Sequence, residues 1–255
     1  MQTQAGKAQT FHSLHQAGNP LVLYNIWDAG SAKAVAEAGA KAIATGSWSV
    51  AAAQGYDDGE KLPLDRLLRT AKQISSAVEL PVNIDFEGGY AAEPEFLADN
   101  IAKLIATGAV GINFEDRIVS GDGLYSIEDQ AKRIAAIRGV ADETGIPLFI
   151  NARTDVFLKT DAADHANHMK EATDRADVYA EAGASGIFIP GLSDADLIGR
   201  FCEHTNLPVN AYMKEGAPSI AEMAKRGVSR ISHGPAPYRE AMRALADRAA
   251  GVYQS

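Results

Sequence analysis

VNIDFE (82–87), PEFLADNIAKLIATG (94–108) and GINFED (111–116) are the stretch on which the fold turns. The outer two pieces are short apolar runs ending in acids, the pattern of strands buried on both faces of a parallel sheet. Between them, apolar residues recur at helical spacing and stop at Gly108, which suits a left-handed helix end. Strand, helix, strand is the repeating unit of an α/β fold.

The unit recurs on both sides. Strands are predicted at Leu21–Asn25, Ala42–Ser47, Val82–Glu87, Gly111–Asp116, Leu148–Asp155, Gly186–Gly191, Val209–Met213 and Arg230–Gly234. Helical patterns follow them, from SAKAVAEAG (31–39) to YREAMRALADRAA (238–250), and Gly39, Gly145, Gly183 and Gly227 close others as Gly108 does. Eight such units favour closure into a (β/α)8 TIM barrel, taken as one domain over residues 1–255 because no linker divides the chain. The first ten residues are expected to fray. The rival, a doubly wound open sheet, calls for a glycine-rich dinucleotide fingerprint after the first strand, and YNIWDAGSA (24–32) supplies one glycine.

Hydrophobic residues make up 46% of the 255 and charged residues 22%, which excludes disorder as the main state. A net charge of -9 with no basic stripe argues against nucleic acid and anionic lipid as partners, while a local basic pocket remains open to a small anionic metabolite. With no secretory start and no apolar run long enough to span a bilayer, a cytoplasmic location is expected. Cys202 is the one cysteine, so no intrachain disulfide forms, and nothing in IGRFCEHTN (198–206) is arranged to stabilise a thiolate.

In such barrels the C-terminal strand ends face the reaction. Those ends carry Asn25, Trp27 and Asp28; Thr45, Gly46 and Ser47; Asp85 and Glu87; Asn113, Glu115 and Asp116; Asn151, Arg153 and Asp155; Tyr212 and Lys214; and His233. Asp85 and Glu87, two apart on a strand, share a face, and Glu115 ends the adjacent strand. Three bare carboxylates would repel, and a hard divalent cation, Mg²⁺ or Mn²⁺, is the simplest remedy. The competing reading pairs these acids with Arg117 and Arg153 or uses them to cap helices. Arg153 facing the mouth would suit two-point contact with a carboxylate or phosphonate; turned aside, it would pair with Glu115. Thr45-Gly46-Ser47 is either an anion nest or an ordinary turn. Asp28 caps a helix with Ser31 or takes part in chemistry, and Asp57 and Asp58 either approach the metal or solvate their loop. Tyr212 and His233 are candidates to line the pocket or exchange protons with substrate. His165 and His168 are expected as a solvent-facing pair, and His12, His15 and His204 carry no signal.

The ordered set NIWDAGSA (25–32), ATGSWS (44–49), DFEGGYA (85–91), GINFEDR (111–117) and INARTD (150–155) resembles the isocitrate lyase/phosphoenolpyruvate mutase superfamily. The resemblance covers the first five strands with their loops. It implies Mg²⁺ bound directly by Asp85, with Glu87 and Glu115 acting largely through coordinated water and help from Asp58. It further implies an α-keto acid or its enolate on the metal, the substrate carboxylate held by Thr45-Gly46-Ser47 and Arg153, and a homo-oligomer, dimer or tetramer; whether C-terminal helices are exchanged stays open.

Departures from the family pattern narrow the reaction. Where the family often has D-x-D-T-G-Y-G, this chain reads Asp85-Phe86-Glu87-Gly88-Gly89-Tyr90-Ala91, one methylene longer at Glu87. Where isocitrate and methylisocitrate lyases carry a K-K-C-G-H type loop, RIVSGDGLYS (117–126) has neither Cys nor His, and it also lacks the longer Lys- and Asn-bearing gate of the phosphonate enzymes. What survives is the enolate-stabilising half of the site. The expected activity is therefore a Mg²⁺-dependent lyase cleaving or decarboxylating a small α-keto or α-hydroxy dicarboxylate, with substrate contacts from Trp27 and Asn113 added to those above. The alternatives are carbon–phosphorus chemistry, as in phosphonopyruvate hydrolase or phosphoenolpyruvate mutase, and a catalytically weak α-keto-acid-binding barrel.

Overall fold

Eight strands, all parallel, form within residues 2–254, the part of the chain that the computed structural model describes. Met1 and Ser255, the two ends of the expected 1–255 span, lie outside the described residues. The chain opens on α1 (Gln4–Ser13) and β1 (Leu21–Leu23), then α2 (Ala29–Glu37), β2 (Ile43–Ala44), α3 (Ser47–Ala52) and α4 (Leu64–Ala77). β3 (Val82–Asp85), α5 (Pro94–Ile105), β4 (Gly111–Glu115), α6 (Ile127–Thr144) and β5 (Phe149–Arg153) follow. After α7 (Val156–Lys159) come α8 (His165–Glu181), β6 (Gly186–Phe188), α9 (Ala195–His204), β7 (Val209–Tyr212), α10 (Ile220–Lys225), β8 (Arg230–Ser232) and α11 (Ala236–Tyr253).

The sheet runs β1-β8-β7-β6-β5-β4-β3-β2, and a parallel bridge between Ile26 and Thr45 joins its two edges into a (β/α)8 barrel. All eight predicted strands are present, each ending before its predicted limit, because the last residues leave the ladder to build the loops at the mouth. The glycines read as helix stops, 39, 108, 145, 183 and 227, all take positive φ, a conformation that costs other residues a Cβ clash. Register places Asp85 beside Asn113, Asn113 beside Asn151, and Glu115 beside Arg153. The third to fifth strand ends are thereby brought together at one rim.

Apolar side chains fill the layer between strands and helices, and a smaller cluster of Phe11, Leu21, Leu23, Ala44, Val110 and Phe149 lies apart from it. This second cluster corrects the expectation that the first ten residues fray. Thr3 caps α1 by accepting from the Gly6 N–H, Gln4 Nε2 donates to Ile105 O and Ala109 O at 2.8 and 2.9 Å, and Phe11 is fully buried against Phe149. Burying one such ring contributes about 2–3 kcal/mol. The exposed His165–His168 pair is also corrected: His165 is buried, its Nε2 3.0 Å from Phe157 O. No helix among the described residues is long and apolar enough to cross a membrane.

Candidate active site

A cavity of about 220 Å³ opens where the strands end. It is smaller than the roughly 300–1,000 Å³ of drug-sized pockets and suits a compact acid. Asn25, Gly46, Ser47, Asp85, Asn113, Arg153 and Tyr212 line it, all read from strand ends, and Asp58 joins them from its loop.

Asp85 is held from two sides. Its N–H donates to Thr45 Oγ1 at 2.8 Å, and its Oδ2 accepts from the Ser47 N–H at 2.9 Å. Of the two readings of this turn those bonds favour the ordinary strand-to-loop turn over the anion nest, since the Thr45 and Gly46 N–H groups are also engaged, by Asn83 O at 3.1 Å and Ile26 O at 3.3 Å. The turn orients Asp85 and has no backbone donor of these three left for a substrate oxyanion. Thr45 stands behind Asp85 and does not line the cavity.

Glu87 lies beneath. Its Oε2 accepts from the Glu60 N–H at 2.8 Å and its Oε1 from the Tyr90 hydroxyl at 3.4 Å, while Glu60 Oε1 accepts from the Tyr90 N–H at 2.8 Å. All three residues have left-handed backbone, with φ of 49°, 58° and 59° for Glu87, Glu60 and Tyr90. Such residues cost on the order of 1–3 kcal/mol each and persist where surrounding bonds enforce them; here they enforce one another. From α6, Arg133 braces the same loop by donating to Gly88 O and Ala91 O, and Gln130 Nε2 donates to Glu115 O at 3.1 Å.

Glu115 and Arg153 form an ion pair at 2.8 Å, and Arg153 also grips Asp155 with Nε at 2.6 Å and Nη2 at 2.9 Å. Burial works against the Arg153 charge, but Glu115 and Asp155 more than offset it. Arg153 therefore pairs with Glu115, the second of its two expected placements, and its side chain also lines the cleft. Asp116 does neither. Buried behind the rim, it accepts from Arg175 Nη1 at 3.1 Å and from the Tyr179 hydroxyl at 3.0 Å.

The acids strain against each other. Burial, reinforced by Asp58 and Asp85, pushes Glu87 up to about 8. Glu115 is raised by burial, with Arg153 pulling it back, and Asp58 is raised by burial and by Asp85. Among the described residues no three ligating groups stand close enough to enclose an ion directly. Mg²⁺, however, keeps several waters and needs only one or two carboxylates. A hard-oxygen donor set with Asp85 and Asp58 at the cavity wall, and with Glu87 and Glu115 occupied by other partners beneath it, fits such a hydrated ion.

Two expected contacts fall elsewhere. The Trp27 ring packs edge-on against Tyr238 at 5.0 Å, and His233 sits against Tyr24 at 5.3 Å; neither lines the cavity. Asp28 is a capping-box residue with Ser31, and the Cys202 thiol is pushed by burial to about 12, an unreactive group. Sequence reasoning missed Trp48, Phe188, Pro235 and Arg239 in the wall. Trp48 stood inside the quoted ATGSWS motif and was findable there; Arg239, on the last helix, gave no signal at a strand end.

The raised Glu87 has a measurable consequence. A folded-state carboxyl that holds its proton to about pH 8, against about 4.3 unfolded, binds more protons when folded, so stability declines as pH rises through that window. His15, held neutral by burial with its value down at about 3, has the opposite sign, but its contribution is complete above about pH 6.5. Metal-free protein is therefore expected to lose Tm between roughly pH 6.5 and 8, and saturating Mg²⁺ to remove most of that slope. Scanning calorimetry checks both, and a flat metal-free profile would contradict the acid cluster.

Residues 11–253 match the family model described as phosphoenolpyruvate phosphomutase. An uncharacterized protein of Mycobacterium tuberculosis is 34% identical over 95% of this chain and 88% of its own length, and 2-methylisocitrate lyase of Escherichia coli is 28% identical over 82% and 70%. Among solved structures, a Burkholderia cenocepacia protein provisionally described as a phosphonomutase superposes with a TM-score of 0.93 at 47% identity, covering 96% of this chain and 97% of that one. A phosphonopyruvate hydrolase complexed with oxalate and Mg²⁺ superposes with a TM-score of 0.85 at 22% identity over 97% and 87%, a likeness of fold.

Proposed function

The chain belongs to the phosphoenolpyruvate phosphomutase family, within the isocitrate lyase/phosphoenolpyruvate mutase superfamily of lyases and mutases, and from that premise we propose a Mg²⁺-dependent lyase that cleaves or decarboxylates a small α-keto or α-hydroxy dicarboxylate through an enolate. One observation carries this reading: Asp85 and Asp58 share a single cleft with two guanidinium groups, Arg153 and Arg239. Arg153 is balanced by Glu115 and Asp155, whereas Arg239 has no carboxylate partner among the described residues and lies 4.6 Å over the Trp48 ring. A substrate with an acid at each end would set one carboxylate on the unpaired Arg239 and the other beside Arg153 across the same cleft.

In this proposal Asp85 and Asp58 would hold Mg²⁺, with Glu87 and Glu115 acting on it through water. The ion, when bound, offsets the negative charge that develops beside the substrate carbonyl. Arg153 binds the proximal carboxylate with the Ser47 hydroxyl and the Asn113 amide, and Arg239 the distal one. Tyr212, which lines the cleft and whose phenol burial keeps protonated, would return a proton to the enolate carbon. His233, outside the cleft, is left without that role.

Steady-state assays with oxaloacetate, a dimethylmalate-type acid and phosphonopyruvate, with and without Mg²⁺, test the proposal. Mg²⁺-dependent turnover of either of the first two supports it. Turnover of phosphonopyruvate alone would move the assignment to carbon–phosphorus chemistry, and tight binding without turnover would leave an α-keto-acid-binding barrel. Arg239→Met is expected to raise KM for the dicarboxylate about tenfold, the loss of one charge-assisted contact, with pyruvate inhibition unchanged. Equal weakening of both would remove Arg239 from substrate selection.

A further inference from the structure

Arg230 on β8 is fully buried and has no carboxylate within ion-pair distance among the described residues. Of its five N–H donors, Nη2 reaches Asn113 Oδ1 at 3.0 Å and Nη1 reaches Asn83 Oδ1 at 3.4 Å, while Nε has no partner at all. A buried cation so thinly satisfied costs stability, and an apolar side chain of similar volume would fill the place more cheaply. Its presence there calls for something the charge does.

What it does is legible at Asn113. The Oδ1 of that residue accepts from Asn151 Nδ2 at 2.9 Å, from Arg230 and, weakly, from Asn83 Nδ2 at 3.4 Å, whereas its Nδ2 makes no bond among the described residues. Asn113 also lines the cleft. A carboxamide can present either its oxygen or its NH2 to a neighbour, and the two orientations differ little in shape. A guanidinium carries donors and no acceptor, so only the oxygen can face it. The surroundings are built to this layer: a Cβ on Gly111 would come within 2.8 Å of Asn83 Oδ1 and 2.9 Å of Phe11 Cε1.

We propose that Arg230 is a positioning residue for substrate recognition, locking the Asn113 amide with its oxygen in the barrel core and its Nδ2 donor in the cleft, where it meets a carboxylate oxygen of the bound acid. The proposal rests on the dicarboxylate reading above for its ligand, but the lock itself is a property of the empty protein. It also explains why the interior layer is asparagine-rich while the rim is acidic: Asn113 is the cleft residue of that layer that delivers a neutral donor to an anion.

Arg230→Met, which keeps the length and removes every donor, and Arg230→Lys, which keeps an obligate donor, test it with two readouts. In ligand-free protein, the side-chain amide resonances of Asn113, assigned by their loss in Asn113→Ala, are expected to shift or broaden in Arg230→Met and to stay near their wild-type positions in Arg230→Lys. In Mg²⁺-dependent oxalate binding by calorimetry, Arg230→Met and Asn113→Ala are each expected to weaken affinity about tenfold, the double variant no further, and Arg230→Lys about twofold at most. A folded Arg230→Met with unchanged Asn113 resonances, or additive losses in the double variant, would overturn the lock. Should wild-type protein bind no oxalate, the dicarboxylate reading fails and the resonances alone decide about Arg230.

Discussion

Asp85→Asn is expected to abolish Mg²⁺-dependent turnover and to weaken Mg²⁺ by at least about 100-fold, because changes merely behind a metal ligand already cost 10- to 100-fold. The substitution separates charge from structure. Asparagine keeps an oxygen for the Ser47 N–H, and the bond from residue 85 to Thr45 Oγ1 uses the backbone, so the local geometry survives. Removing the charge also relieves Asp58, Glu87 and Glu115, each of which Asp85 pushes toward its protonated form. Set against that relief is the lost attraction of Asp85 for the buried Arg153 and Arg230, so metal-free Asp85→Asn should stay close to the parent in stability, while its loss of Tm between roughly pH 6.5 and 8 should flatten. Calorimetric titration with Mg²⁺ and thermal scans check the two halves independently. Turnover within tenfold of wild type would take Asp85 out of the reaction.

Arg153→Met is expected to have the largest effect on stability. It leaves Glu115 and Asp155, both buried, without the guanidinium that bonds each at 2.8 Å or less. Removing one member of a buried ion pair costs roughly 3–5 kcal/mol, which at about 2–4 °C per kcal/mol for a chain near this size is a fall in Tm on the order of 10 °C. The sign of the pH response identifies the cause. Burial already raises Glu115, and without Arg153 it gains a proton on folding, so the deficit should be largest above neutrality and shrink as acid neutralises Glu115. A second variant, Arg153→Lys, keeps the charge without the fork that grips both acids, and is expected to recover part of the stability but not the substrate contact. A pH-independent deficit in Arg153→Met would point to lost packing instead.

The barrel was legible from VNIDFE onward because strand and helix announce themselves through local periods, and the rim acids because a barrel gives its strand ends one address. Asp85, Ser47, Asn113, Arg153 and Tyr212 were found by that rule, and the cavity contains them all. The rule failed where an end residue turns the other way. Asp116 belongs to Arg175, Trp27 to Tyr238, and His233 to Tyr24, partners 59, 211 and 209 positions distant, respectively. The turn at Thr45-Gly46-Ser47 stayed open between an anion nest and an ordinary turn until the fold supplied Asn83, Ile26 and Asp85 to take its N–H groups.

Local order alone settled the number and succession of strand–helix units, the stops at glycine, and the concentration of carboxylates on the third and fourth strands. Assembly settled which of those groups remain available: Arg153 divided between Glu115 and Asp155, Arg239 brought in from the final helix with its charge unspent, and Asn113 turned by Arg230 from 117 residues away. The division has a physical cause. Periodicity and turn chemistry act within a few residues and are written in neighbours, whereas a hydrogen-bonding group is committed only when a partner arrives, and in a closed barrel the partners arrive from everywhere in the chain.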